Sequence, residues 1–257
     1  MSLQVKILFL FFLSIHLSES TDPTYYSCNG NSNTTQKSRN INYLLTELVS
    51  NTIQNGFIST SYGTGSDQIY GLAQCRGDVS KNDCSICIKD AAESARKLCP
   101  NQVEVKIWYD YCFLRYDTLK FFGQVDTSGL YLYNVQNVTD ADVFNKKLGS
   151  LIDQIDSEAI KSANEGLGKG KSKISEFLTL YALVQCTRDL SSLSCAQCLA
   201  IAIENFSGIC NDKKGCRVLY GSCYVRYELY PFYFPLDSNE ILDRSFEKYK
   251  SVVAFEP

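Results

Sequence analysis

The sequence predicts an α+β protein built from two tandem copies of one small disulfide-stapled domain, each a five-stranded, mainly antiparallel sheet packed against two helices. Three observations carry that expectation. A cysteine pattern occurs twice at one offset, an apolar leader precedes it, and each half alternates helical apolar spacing with short β-branched and aromatic runs.

The repeat comes first. Cys75-x8-Cys84-x2-Cys87-x11-Cys99-x12-Cys112 returns as Cys186-x8-Cys195-x2-Cys198-x11-Cys210-x12-Cys223, 111 residues later. Flanking residues follow it: Tyr70-Gly-Leu-Ala-Gln-Cys75 matches Tyr181-Ala-Leu-Val-Gln-Cys186, and Cys112-Phe-Leu-Arg-Tyr-Asp117 matches Cys223-Tyr-Val-Arg-Tyr-Glu228. A chain of 257 residues is long enough for two such units. The expected division is a leader over 1–20, a first domain over 21–133, a linker over 134–140 and a second domain over 141–250.

The leader reads as a secretory signal. Lys6 gives the charged start, Ile7 to Ile15 the apolar stretch, and Ser18 and Ser20 the small residues before cleavage at Thr21. Nine apolar residues cannot cross a hydrocarbon core, which needs about 20, and no later run approaches that length. The mature chain is therefore expected outside the cell, with no membrane span.

Each element has a local cause. Tyr25 to Cys28 reads as a strand. Ile41, Leu44, Leu45, Leu48 and Val49 line one face of a helix over 40–54, stopped by Gly56. Phe57–Tyr62 and Gln68–Arg76 read as extended. A second helix over 80–98 opens on Ser80 and closes before Pro100. Val103–Tyr109 and Tyr111–Leu119 read as an aromatic hairpin turning at Asp110-Tyr111. The second half repeats this order, with helices over 141–162 and 192–208 and a Gly/Lys loop over 165–173.

Composition excludes several functions. Net charge is −3, which gives no basic face for nucleic acid. The only histidine, His16, falls in the leader, so the mature chain lacks Ser-His-Asp and Cys-His catalysis and Cys/His zinc sites. No paired carboxylates stand out for glycoside hydrolysis: Glu104, Asp110, Asp117 and Glu228 have ordinary charge-pairing roles. The expected protein is not an enzyme and has no cofactor or metal.

The 12 cysteines suit an oxidising compartment. Each half holds five shared cysteines and one private one, Cys28 or Cys216, and the private ones serve the same shared partner if the other pairs are unchanged. Cys216 follows Cys210 across a turn-like segment, which favours Cys210–Cys216 and hence Cys28–Cys99. Cys84 and Cys87 lie one helical turn apart and do not pair with each other. Spacing leaves two solutions: Cys75–Cys84 with Cys87–Cys112, or Cys75–Cys87 with Cys84–Cys112.

The C-x8-C-x2-C core and the Cys-[Phe/Tyr]-[Leu/Val]-Arg-Tyr-[Asp/Glu] strand resemble the ginkbilobin-homologous domain of plants, over nearly all of residues 25–234. Two such domains behind a signal peptide resemble the cysteine-rich repeat secretory proteins. The resemblance implies the pairing Cys28–Cys99, Cys75–Cys84, Cys87–Cys112, Cys186–Cys195, Cys198–Cys223 and Cys210–Cys216. It also implies a candidate mannose site, because ginkbilobin is an antifungal, mannose-binding seed protein. Its Asn, Arg and Glu fall on Asn29, Lys106 and Asp117 here. The second half keeps Arg217 and Glu228, with Asp140 at the counted Asn position. Lysine cannot reproduce the planar fork of arginine.

Asn33, Asn137 and Asn205 head glycosylation sequons. The aromatics of the hairpin and the run Tyr230-Pro-Phe-Tyr-Phe-Pro235 offer packing or contact surface. The expected function is that of a secreted, non-enzymatic binding protein of the plant apoplast. It recognises an extracellular protein or cell-surface partner in defence or signalling, with a mannose-type glycan as the alternative ligand.

Overall fold

The computed structural model describes residues 22–32, 34–235 and 249–252. The leader and its cleavage point lie outside them.

Five strands form the first sheet: β1 (Tyr25–Asn31), β2 (Phe57–Tyr62), β3 (Ile69–Cys75), β4 (Gln102–Trp108) and β5 (Cys112–Asp117), in the order β1-β4-β5-β3-β2. All its pairings are antiparallel. Two helices cover one face, α1 (Thr35–Asn55) and α2 (Lys81–Leu98). The helix α1 starts five residues earlier than periodicity predicts. Thr34 accepts a hydrogen bond from Lys37 N, which begins the helix ahead of its apolar face. Gly56 ends it with φ 80°, a left-handed cap.

The second unit repeats the plan with β6 (Gly129–Asn134), α3 (Ala141–Ala159), β7 (Leu167–Lys173), β8 (Thr179–Cys186), α4 (Ser192–Glu204), the short α5 (Phe206–Ile209), β9 (Cys216–Tyr220) and β10 (Cys223–Glu228). A sixth strand, β11 (Tyr249–Val252), adds to the edge, giving β11-β6-β9-β10-β8-β7. The helices bury Leu44, Leu45 and Leu48 in one unit and Leu151, Ile152 and Ile155 in the other, against the apolar face of each sheet.

Three expectations need correction. Residues 129–133, assigned to the first domain, form most of β6, which pairs with β9 in the second sheet. The connection between the sheets is the segment 118–128, whereas 135–140 leads from β6 into α3 inside the second unit. The sequence hides this because β6 carries no cysteine to mark it.

The Gly/Lys run 165–173 is a strand for most of its length. Its core-facing positions are Gly168 and Gly170, which let α3 approach: a Cβ on Gly168 would lie 1.8 Å from the Ile155 carbonyl oxygen. A strand whose inner face carries only Gly168, Gly170 and Ser172 shows no apolar alternation. The helix expected over 192–208 is interrupted at Asn205, between α4 and α5.

The disulfides are Cys28–Cys99, Cys75–Cys84, Cys87–Cys112, Cys186–Cys195, Cys198–Cys223 and Cys210–Cys216. Four of them join a helix to the end of a strand beneath it. At roughly 2–4 kcal/mol each, such links hold small cores together.

The helix-free faces of the two sheets meet. Tyr25, Trp108 and Phe113 pack against Leu130, Leu132, Leu219 and Tyr224, and Trp108 Nε1 donates to the Tyr220 carbonyl at 3.2 Å. The helices therefore lie outside and the sheet faces inside.

Candidate functional site

The register of β1, β4 and β5 decides which residues share the helix-free face. Ser27, Lys106 and Arg115 form one cross-strand row, and Asn29 lies opposite Glu104 in the next. Asp117 is two residues beyond Arg115, so it shares this face. Asn29, Lys106 and Asp117 thus stand on one surface, with Lys106 opposite Arg115.

That surface is not open at its centre. Lys106 is 8% exposed. Its ammonium lies 2.7 Å from Asp126 Oδ2 and donates to Ser128 Oγ at 2.6 Å. Arg115 meets the same Asp126 oxygen at 3.1 Å and lies over the Phe121 ring at 3.7 Å. Phe121, Asp126 and Ser128 all belong to the connecting segment. Burial pushes the Asp126 carboxyl up, but Lys106 and Arg115 pull it further down, so it stays below its ordinary range. Asp117 accepts from Leu119 N at 2.9 Å, and Asn29 is exposed at the rim.

The second sheet carries a fuller set than counting predicts. Trp108 and Leu219 are equivalent in the repeat; Tyr25 faces the first and Leu130 the second. The first strand is therefore offset by 105 residues, against 111 for the cysteines. Asn134, not Asp140, takes the place of Asn29, and it donates its backbone N–H to Gly215 O at 2.8 Å. Asn134, Arg217 and Glu228 then lie on one face. Sequence reasoning missed Asn134 because it carried the cysteine offset back across a region that is six residues longer in the second unit.

This trio is closed as well. Asn134, Arg217 and Glu228 are all buried. Asn134 Oδ1 accepts from Gln136 N at 2.8 Å. Arg217 bonds Asp110, the turn residue of the first sheet's hairpin. Arg226 Nε donates to Glu228 Oε1 at 2.8 Å, and its guanidinium lies over Phe232 at 4.2 Å. Gly215 leaves the room: a Cβ there would stand 1.9 Å from Glu228 Oε2. Burial raises the Asp110 carboxyl, but Arg217, Arg226 and Arg76 outweigh it and hold the group at about 2.

The aromatic tail seals the seam. Phe232 O accepts from Arg76 Nη2 at 3.1 Å, and Phe234 N donates to Asp78 Oδ2 at 2.7 Å. The central cations of both faces, Lys106, Arg115 and Arg217, are thus ion-paired by acidic residues of the chain itself.

Of the sequons, Asn33 lies outside the described residues. Asn137 is exposed and accepts from Lys213 Nζ at 2.8 Å. Asn205 is half-buried, and its Nδ2 donates to Ile201 O at 3.2 Å and Tyr220 Oη at 3.1 Å. Among the described residues no helix is long and apolar enough to cross a membrane.

Comparison with known proteins agrees with this architecture. The family described as salt stress response/antifungal matches residues 27–119 and 133–230. Cysteine-rich repeat secretory protein 55 of Arabidopsis thaliana is 52% identical over 89% of this chain and 90% of its own length. An antimicrobial ginkbilobin-2-like protein of Castanea crenata is 41% identical over 86% of this chain and 92% of its own. The crystal structure of the tandem DUF26 ectodomain of the Arabidopsis thaliana cysteine-rich receptor-like protein PDLP8 superposes with a TM-score of 0.71 at 29% identity, covering 81% of this chain and 98% of that one.

Proposed function

The chain belongs to the salt stress response/antifungal family, among its cysteine-rich repeat secretory proteins, and from that membership we propose that it is a non-enzymatic binding protein of the plant apoplast that recognises an extracellular protein partner in defence or signalling. The observation that carries this reading is the Asp126 carboxylate seated between Lys106 and Arg115. Lys106, the central position of the first-domain trio, is already neutralised by Asp126 and hydrogen-bonded to Ser128. Outer helix faces and sheet edges remain as contact surface, and these suit another protein better than a monosaccharide.

The test is capture from apoplastic wash fluid on immobilised, disulfide-intact protein, followed by titration of each purified captured protein back onto it. Saturable binding that mannose does not compete supports the reading. Capture of glycoproteins alone, all released by mannose, overturns it.

A second reading, a mannose-type glycan receptor, has one observation in its favour. Asn134, Arg217 and Glu228 bring an amide, a guanidinium and a carboxylate to one face of the second sheet, a set able to hydrogen-bond vicinal hydroxyls. Sugar access would require the Asp110–Arg217 contact to open.

A further inference from the structure

The repeat provides an internal comparison of its two outer edges. In each unit one edge strand pairs on a single side among the described residues: β2 with β3, and β7 with β8. Phe57 faces Gln74 and Leu167 faces Gln185, so the strands superimpose with Ser59 matching Lys169 and Ser61 matching Lys171. The second unit thus guards its edge with exposed lysines, a common defence against edge-to-edge pairing. The first unit has Phe-Ile-Ser-Thr-Ser-Tyr, with no charge, no proline and no bulge.

The hydrogen-bond phase shows which backbone groups face out. Cys75 N donates to Gly56 O at 2.8 Å, which makes Gly56 and Cys75 a hydrogen-bonded pair. Such pairs alternate along an antiparallel ladder, so Phe57, Ser59 and Ser61 direct their N–H and C=O groups away from β3.

We propose that β2 is a dimerisation edge, pairing antiparallel with β2 of a second copy of this chain about a two-fold axis at Ser59. In that register Ser59 meets its own counterpart and Phe57 meets Ser61. Ser59 then exchanges hydrogen bonds in both directions and Ser61 N donates to Phe57 O at each end, while Phe57 N keeps its bond to Asn55 Oδ1 at 3.1 Å, and the two helical faces stay on the same side. No charge opposes its like. The equivalent pairing through β7 would set Lys169 against Lys169, which like-charge repulsion disfavours. A second copy is the favoured occupant because the edge is complementary to itself at every position, as an isologous contact requires. The helix α1, packed beside β2, adds exposed Tyr43 and Ile53 to the flank. A six-residue edge gives a weak, reversible dimer.

The test is sedimentation velocity of the secreted protein from about 1 µM to about 500 µM, where mass action shifts any dimer. Wild type, Ser59→Lys and Ser59→Ala are compared, each with its circular dichroism spectrum. Lysine occupies the matching place in β7, so Ser59→Lys is compatible with the fold. The expected result is a dimer that grows with concentration in wild type and Ser59→Ala, with association weakened at least tenfold in Ser59→Lys. Slowed amide exchange at Ser59 and Ser61 in the concentrated wild type is the second expected readout. A monomer throughout the range, or a dimer that Ser59→Lys leaves intact, overturns the proposal.

Discussion

Gln74 and Gln185, 111 residues apart, make the same two hydrogen bonds to each other's unit. Gln74 Nε2 donates to Cys186 O at 2.8 Å and its Oε1 accepts from Arg188 N at 2.8 Å. Gln185 Nε2 donates to Cys75 O at 3.1 Å and its Oε1 accepts from Gly77 N at 3.0 Å. This reciprocity is the mark of a contact between duplicated units related by a local two-fold.

Because each glutamine satisfies one backbone acceptor and one donor across the seam, Gln74→Ala and Gln185→Ala should destabilise the protein by similar amounts. About 1–3 kcal/mol is expected for each, the cost of leaving such groups unsatisfied. Urea unfolding curves of the two variants check both the magnitude and the symmetry.

Asp126 forms ion pairs with both Lys106 and Arg115 through one carboxylate oxygen. Asp126→Ala strands two buried cations. It should cost about 2 kcal/mol or more, by analogy with truncating one member of a buried charge pair. Thermal unfolding of this variant beside Asp126→Asn separates the charge from the hydrogen bonds to Ser128.

The seam is also expected to respond to acid. Asp110 is held at about 2 in the folded protein, below the ordinary aspartate value of about 3.9. A depressed carboxylate contributes stability that is fully present above the unfolded value and is lost as pH falls through the folded one. The contribution should therefore fade between about pH 4 and pH 2. In unfolding measured across that window, Asp110→Asn should show a smaller loss of stability than wild type. An unchanged slope would remove Asp110 from the account.

Much of the fold was legible because its strongest signals are local. Ser80 and Gly56 announce helix ends by their own chemistry, and the cysteine spacing survives duplication unchanged. Two features were illegible for physical reasons. Asn134 sits on a strand identified by pairing with β9 rather than by its own sequence, and no cysteine marks the register there. The strand β7 has glycine where a core residue is usual, because α3 lies against its backbone.

The last point gives its own prediction. Gly168→Ala places a methyl carbon 1.8 Å from Ile155 O, so α3 must shift away from the sheet. Overpacking of this kind should cost about 2–3 kcal/mol. Gly149→Ala is the control: it lies in α3, and a Cβ there meets nothing within 4 Å. Chemical denaturation of the pair tests whether close packing explains the Gly/Lys strand.

The candidate site was legible as residue types and as a shared face, but not as an occupied one. Counting located Lys106 and Asp117 on adjoining strands, whereas the connecting segment that covers Lys106 has no repeat counterpart to suggest its path. Asp110 likewise reads as a turn residue until the second sheet brings Arg217 to it.

Lys106 and Arg217, at the centres of the two polar sheet faces, are ion-paired from within by Asp126 and Asp110, and that occupancy is expected to exclude a monosaccharide. Calorimetric titration of the secreted, disulfide-intact protein with mannose and a mannan oligosaccharide tests it most directly, with Asn29→Ala and Asn134→Ala alongside. The account predicts no saturable heat from either sugar with folded wild type. Saturable binding that either substitution abolishes would contradict it and assign the corresponding face to a glycan.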